Sequence, residues 1–407
     1  MYIAASRFMT SLTCSESSIL QPMAVFLTLL ALVGPLGVAS GQCSLTSSVD
    51  RDVAEEASAV QELAMLQVVA GRVERSSDSG SAADPDAAKP TMYIWFQEDV
   101  PSLVYPNFTQ YAFEPFSSTL LAGIAAYPHS GNVTVNYLIL PVRGDVAGEI
   151  KKLSLKRSDV FLWLGRIGKD SVPWSHVRQQ GALAIYYQTE PVKDCVFTKE
   201  DVDELWDYSW ANIDVCARNP SAPKLRYIPA AALPKVTSPH PDTAGPLMFF
   251  GDSSKRPCWK TLIKQYGEDL NNVFFVNDEQ TYVSLVKNYS IWLNLHKACG
   301  EDLQNANGNP ALEPRITKLL NSQRLVVSQP CYPKDQAEFE GMLDFLPLEA
   351  IQDKYYELRL LPAVNRTKLA KERHAKFAEK FAPAALFHRA EIYELLDARM
   401  HPFAMAA

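Results

Sequence analysis

What the chain lacks narrows its chemistry first. Its seven cysteines, Cys14, Cys43, Cys195, Cys216, Cys258, Cys299 and Cys331, are scattered, and no C-x-x-C occurs. That spacing argues against a zinc ribbon or a thioredoxin-type centre. It leaves open a bridge between Cys195 and Cys216 in an oxidising compartment, beside the plainer reading of small buried hydrophobes. Basic residues are in deficit, 39 against 46 acidic, for a net charge of −7 and a pI of about 5.6. No cluster of Lys and Arg supplies the basic face that nucleic acid needs, or a patch for anionic lipid. Neither G-x-G-x-x-G nor a Walker A loop is present, so a Rossmann oxidoreductase lacks its phosphate fingerprint and a P-loop enzyme lacks its cradle. No cluster of metal ligands stands out either. Asp201-Val-Asp203 has the spacing of a metal-binding D-x-D, but a capping-box start at Thr198 and Asp201 explains it without a metal.

One long uncharged run is present, Met23 to Ala39 (MAVFLTLLALVGPLGVA). It lies at the short limit for a membrane helix. Arg7 is the sole basic residue before it, and the small residues Ala39, Ser40 and Gly41 close it. A cleaved signal peptide and an uncleaved signal anchor both fit, and the long leader favours the anchor. Residues 1–41 are therefore read as an export segment. It implies a Golgi or ER membrane protein with its bulk in the lumen, or a secreted one if the segment is cleaved. Sequons at Asn107, Asn132, Asn288 and Asn365 agree with either, although Asn288 adjoins a buried strand. Residues 42–90 read as a stem: a helical stretch from Val53 to Val73, then a flexible linker rich in Ser, Asp and Ala.

From Thr91 the chain alternates. Strands are expected at Met92–Phe96, Val133–Leu140, Asp159–Leu164, Ala182–Tyr187 and Lys224–Pro229. Helices are expected at Pro115–Ala126, Pro173–Gln180 and Thr198–Asn212. The alternation predicts a parallel α/β sheet over residues 91–237. The proline-rich Pro234–Gly245 then opens a second unit, residues 238–362. It carries strands at Pro246–Gly251, Val273–Val276, Ser290–Leu295, Arg324–Ser328 and Leu343–Leu346. Helices are expected between these strands, one directly behind Gly251, one from Asp335 to Met342 and one from Leu348 to Leu358. Two amphipathic helices broken near Pro383 fill 363–407 and are expected to pack back on the body.

The chemistry concentrates around Asn288–Ser328. A buried strand there runs into a polar loop that carries Asn294 and His296, then into a helix that opens with Glu313 and Arg315. Open parallel sheets bind ligands outside the carboxyl ends of their strands. Phe249-Phe-Gly251 followed by Lys255 and Arg256 offers a second such end, a glycine turn with two cations that suits a phosphate group. In the first unit, Glu190 lies just past a strand end, where a carboxylate faces a cleft.

Several phrases together resemble one family: Tyr187-Gln-Thr-Glu190-Pro, Leu205-Trp-Asp-Tyr-Ser-Trp-Ala-Asn212, Tyr227-Ile-Pro229, Phe249-Phe-Gly251 with Lys255-Arg256, Leu293-Asn-Leu-His296, Leu312-Glu-Pro-Arg-Ile316 and Val326-Val-Ser328. In this order they are similar to GT-B glycosyltransferases of the group-1-like kind, over roughly Asp159 to Leu358. The resemblance implies two Rossmann-like domains facing a cleft, with a nucleotide-sugar held mainly by the second. It assigns Gly251 and Arg256 to the diphosphate, with Lys255 adding charge at the same turn, and Glu313 to the ribose hydroxyls. Asn294 and His296 would lie near the sugar or diphosphate; Arg315, two positions past Glu313, leaves the helix on a different side, either to bind substrate with them or to pair with an acidic neighbour. Glu190, or failing that His296, would serve as general base. The expected partners are a nucleotide-sugar and a glycan or glycoprotein acceptor, with neither metal nor other cofactor. The sequence departs from the family at Gln329, where Glu often stands, and before Asp159, where no match is found. A non-catalytic lumenal carbohydrate-binding protein on the same scaffold is the competing reading.

Overall fold

The computed structural model describes residues 89–97, 108–141, 143–165, 169–233, 238–256, 258–273, 279–296 and 313–400; the export segment, the stem and the loop at 297–312 lie outside them. Among the described residues no helix is long and apolar enough to cross a membrane.

Two parallel sheets carry the fold. The first is built from β1 (Thr91–Gln97), β2 (Thr134–Leu140), β3 (Val160–Leu164), β4 (Leu183–Gln188), β5 (Glu204–Asp207) and β6 (Lys224–Tyr227), in the spatial order β2-β1-β3-β4-β5-β6. Its strands β3, β4 and β5 are buried along their whole length, the first two as the largely apolar runs a covered sheet calls for and β5 with Glu204 and Asp207 at its ends. The two-residue period sorts their side chains onto opposite faces. Ile94, Phe96 and Leu162 join one core, whereas Trp95, Phe161 and Trp163 join the other. The helices between these strands are α1 (Phe108–Ala125), α2 (Val146–Lys151), α3 (Trp174–Gln179) and α4 (Trp210–Ala217).

The second sheet contains β7 (Leu247–Phe250), β8 (Leu270–Val273), β9 (Ile291–Asn294), β10 (Leu325–Ser328) and β11 (Asp344–Phe345), ordered β11-β10-β9-β7-β8. Its helices are α5 (Trp259–Tyr266), α6 (Glu279–Asn288), α7 (Glu313–Asn321), α8 (Pro333–Glu338) and α9 (Ile351–Leu360). Three closing helices, α10 (Ala363–Lys380), α11 (Pro383–Arg389) and α12 (Ile392–Met400), return over the body. Phe377, Phe381 and Leu386 enter the core of the second sheet, and Phe387, Ile392 and Leu396 that of the first. Two Rossmann-like sheets with a closing helical segment make up the α/β architecture that the family resemblance implies.

Four local readings need correction. Thr198–Asn212 is not one helix: Thr198 and Asp201 cap a single turn, and Glu204–Asp207 is strand β5. Glu204 on that strand is neutralised inside the fold. The Arg226 guanidinium donates to Glu204 from Nε at 2.6 Å and Nη2 at 3.0 Å, and Trp206 Nε1 donates at 2.8 Å. The helix behind Gly251 does not start at the glycine: a 3-10 turn, Ser253–Lys255, intervenes, and α5 begins at Trp259. Strand β8 begins at Leu270 rather than at Val273, and residues 274–276 of the expected strand lie outside the described residues. The tail has three helices rather than two, the second break falling at Glu391, whose φ is +55°.

Candidate functional site

The order of the second sheet fixes where a ligand fits. The chain steps from β7 outward to β8 and then back across to β9, so β7 and β9 flank the point at which the winding reverses. The carboxyl ends of two such strands splay their following loops apart and leave a crevice. Gly251 follows β7 directly, and Asn294, Leu295 and His296 close β9.

Three cationic or potentially cationic groups gather there. Arg256 is 6% exposed and donates from Nε to the Leu295 carbonyl at 3.0 Å. Arg315, in the first turn of α7, donates from Nη1 to Asn294 Oδ1 at 3.1 Å. Both guanidiniums lie over the ring of buried Phe249, at 5.8 Å for Arg256 and 5.0 Å for Arg315. An aromatic face is one way to hold two like charges close together. Among the described residues no carboxylate is within ion-pair distance of Arg315. Protein surrounds its guanidinium, although part of the residue still reaches solvent. Burial, and then the neighbouring Arg256, pull its pKa down to about 9, which leaves it protonated at neutral pH. Arg256 is likewise lowered by burial, with Asp252 acting in the opposite sense.

Gly251 makes the close approach possible. Its φ is +142°, and its N–H donates to the Val273 carbonyl at 2.9 Å. A Cβ there would stand 2.8 Å from Arg315 Nη2 and 3.2 Å from the Phe249 ring. Glycine is thus required by both conformation and space.

The other half of the crevice is neutral and ordered. Asn294 Nδ2 donates to Ser328 Oγ at 2.9 Å, so its Oδ1 is turned toward Arg315. The His296 N–H donates to Gln329 Oε1 at 3.1 Å. His296 is 1% exposed, and among the described residues neither ring nitrogen has a hydrogen-bond partner of ordinary geometry. Burial lowers its pKa most, the Gln329 backbone beside the ring opposes, Arg315 and Arg256 lower it further, and the result is about 4. It stands as a neutral imidazole beside two guanidiniums.

The structure thus brings Gly251, Arg256, Asn294, His296 and Arg315 together. Arg315, two positions past Glu313 on the helix, faces this group instead of an acidic neighbour. The side chains of Lys255 and Glu313 lie outside what is described. Glu190 sits on the first sheet, past β4, where Gln188 Nε2 and Asn212 Nδ2 donate to its carbonyl at 2.7 Å and 3.0 Å. Asp201 and Asp203 are occupied by structural partners: Thr198 and Lys169 for the former, Arg178 and the Ala184 N–H for the latter. Among the described residues no group of three His, Cys, Asp or Glu is placed to hold a metal.

Sequence reasoning missed a second polar network, which joins the two sheets. Asp335, on α8 of the second unit, accepts from Ser209 Oγ at 2.5 Å and from the Trp210 N–H at 2.6 Å, capping α4 of the first. Trp210 Nε1 donates to Glu338 at 3.2 Å, and Lys334 pairs with Asp214 at 2.6 Å. Buried Asp207 lies behind Ser209, whose N–H it accepts at 2.9 Å. Burial holds its carboxyl well above the usual range, and the nearby Asp335 charge adds to that. No sequence signal links Asp335 to Ser209 across 126 positions.

No family model matches this chain, and no curated protein matches it in sequence. Solved structures with related coordinates include AviGT4, a glycosyltransferase involved in avilamycin A biosynthesis, at 11% identity over 76% of this chain and 98% of that one, with a TM-score of 0.45. TarM shows 11% identity over 62% of this chain, with a TM-score of 0.42, and the match spans 57% of TarM's own length. The N-terminal domain of Candida albicans trehalose-6-phosphate phosphatase shows 8% identity, 79% and 99% coverage and a TM-score of 0.42. Scores of this size decide neither fold nor activity, and the parallel sheets above stand on their own pairings.

Proposed function

We propose that this chain is a glycosyltransferase that moves a sugar from a nucleotide-sugar to a hydroxyl of a glycan or glycoprotein acceptor. The observation that carries the reading is the concentration of Arg256, Arg315 and the glycine turn at the winding reversal of the second sheet. Two guanidiniums held there, one without a carboxylate partner among the described residues, suit a pyrophosphate. Their charge would stabilise the diphosphate as it leaves, where developing negative charge is worth most to neutralise. The resemblance in the phrases around Gly251, Asn294 and Arg315 points to the same assignment. Within it Glu313 accepts from the ribose hydroxyls and Glu190 acts as base. The reading needs no metal, because the cations do that work.

A lumenal setting is part of the proposal. Cys195 and Cys216 are disulfide-bonded, and so is Cys258. Such bonds persist in oxidising compartments. The described sequons, Asn132, Asn288 and Asn365, are all exposed. The uncleaved anchor and the Golgi or ER membrane remain proposals on the strength of the export segment.

The second reading, a carbohydrate-binding protein without catalysis, is favoured by one feature. Gln329 stands where the family often has Glu, and its Oε1 is committed to the His296 N–H. An amide cannot take up a proton as a carboxylate can. Calorimetry and donor-hydrolysis assays with UDP-, GDP- and TDP-sugars separate the two. Nucleotide binding that Arg315→Gln weakens, together with slow hydrolysis of one donor, supports the enzyme. Nucleotide binding without hydrolysis or transfer supports the second reading. The absence of binding to every nucleotide contradicts both assignments of this site.

A further inference from the structure

Among the described residues His296 is the most deeply buried histidine. His240 shares Nε2 with the Gln323 carbonyl at 3.0 Å, and half-buried His374 shares Nδ1 with the Leu320 carbonyl at 3.0 Å. His296 has no hydrogen-bond partner for either nitrogen among the described residues. A neutral imidazole carries one N–H donor, and leaving it unsatisfied in the interior costs about 1–3 kcal/mol. Buried polar groups normally find partners, so a bare ring beside two cations marks a place where something else supplies the acceptor.

The surroundings say what that something is. From the turn after β7, Arg256 and Asp252 face the region; from α7, Arg315; from the end of β10, the neutral Ser328 and Gln329. Cys258 is disulfide-bonded and does not titrate. With the crevice empty, two guanidiniums disfavour a third positive charge. A pyrophosphate brings negative charge into the same space and reverses the sign of the field at the ring. We infer that His296 takes up a proton from solvent as the pyrophosphate of the nucleotide enters, and becomes the third cation of the site. The step moves one proton from water to the imidazole and breaks no other bond. This inference rests on the pyrophosphate reading of the site and adds to it a coupling between binding and pH. Where uptake is complete, affinity rises about tenfold for each unit of pH lost. A lumen more acidic than the cytosol would therefore strengthen donor binding.

The test is to follow the histidine ring signals of the full chain by NMR between pH 7.5 and pH 5.5, with and without saturating UDP. The His296 resonance is identified by its loss in His296→Gln. It is expected not to titrate over this range in the free chain, and to titrate with a midpoint inside it when UDP is bound. Calorimetry in buffers of different ionisation enthalpy gives a second readout. The UDP β-phosphate titrates in the same range, so the number that counts is proton uptake by the native chain minus uptake by His296→Gln. A positive difference supports the coupling. UDP binding with an unchanged His296 titration overturns the inference and leaves the pyrophosphate site standing. Failure of UDP, GDP and TDP alike to bind overturns the parent reading and the coupling with it.

Discussion

Replacing Gly251 with alanine probes the site through one added carbon. Two effects separate. The first is local: at φ +142° a residue with a Cβ is strained, at a cost of order 1–3 kcal/mol. In a chain of this size that lowers Tm by several degrees, at about 2–4 °C per kcal/mol. The second acts at a distance of one side chain. The new Cβ, 2.8 Å from Arg315 Nη2, drives the flexible guanidinium away from Asn294 and off the Phe249 ring. A hydrogen bond to a charged group contributes about 1.5–3 kcal/mol, so misplacing Arg315 is expected to weaken UDP or GDP binding roughly 10- to 150-fold. The assay is calorimetry on Gly251→Ala, Arg315→Met and the double variant, each with its Tm. If the alanine acts through Arg315, the two losses of affinity overlap, and the double variant binds about as weakly as Arg315→Met alone. Losses that simply add, or native affinity in Gly251→Ala despite a lower Tm, refute the geometry.

Three further outcomes follow from other parts of the structure. His296 and His240 are both pushed down to about 4, well under the free histidine value of 6.5. A depressed folded pKa gives stability that is present above pH 6.5 and is lost as pH falls toward 4, up to about 3 kcal/mol for each group; urea melts at pH 7.5 and pH 4.5 should show it, and equal midpoints would contradict the burial of both rings. Asp335→Ala removes the cap of α4 and strands the Ser209 hydroxyl, so unfolding should cost about 2–5 kcal/mol less, while Asp214→Asn, which keeps an acceptor for the Tyr332 hydroxyl and loses the charge facing exposed Lys334, should cost under about 1 kcal/mol. Cys195→Ser with Cys216→Ser opens a link across 21 positions and should cost about 3 kcal/mol, and reductant should lower the midpoint of the native chain at least as far, since it also opens the bond at Cys258.

Much of the sheet framework was legible because a parallel sheet demands it. Val160–Leu164, Leu183–Gln188 and Leu325–Ser328 are covered on both faces, and only uninterrupted apolar runs satisfy that. The reading failed where a polar residue was buried with a distant partner. Glu204 reads as part of a helix because Arg226, which neutralises it in β5, sits on another strand. At the site, the glycine turn and the cations could be named from their neighbours in sequence, since a phosphate-sized anion calls for those residue types at a strand end. Their arrangement could not. That Arg315 turns toward Asn294, that Phe249 carries two guanidiniums, and that His296 is left bare all depend on how α7 lies against β7 and β9. The Asp335 cap was invisible for the same reason: its partners belong to another sheet.

The most direct measurement is a crystal structure of the chain grown with UDP or GDP. The diphosphate should lie at the ends of β7 and β9, within hydrogen-bond distance of Arg256 and Arg315 and against the Gly251 turn. A nucleotide bound elsewhere, with both guanidiniums still facing only Asn294 and the Leu295 carbonyl, would contradict the assignment.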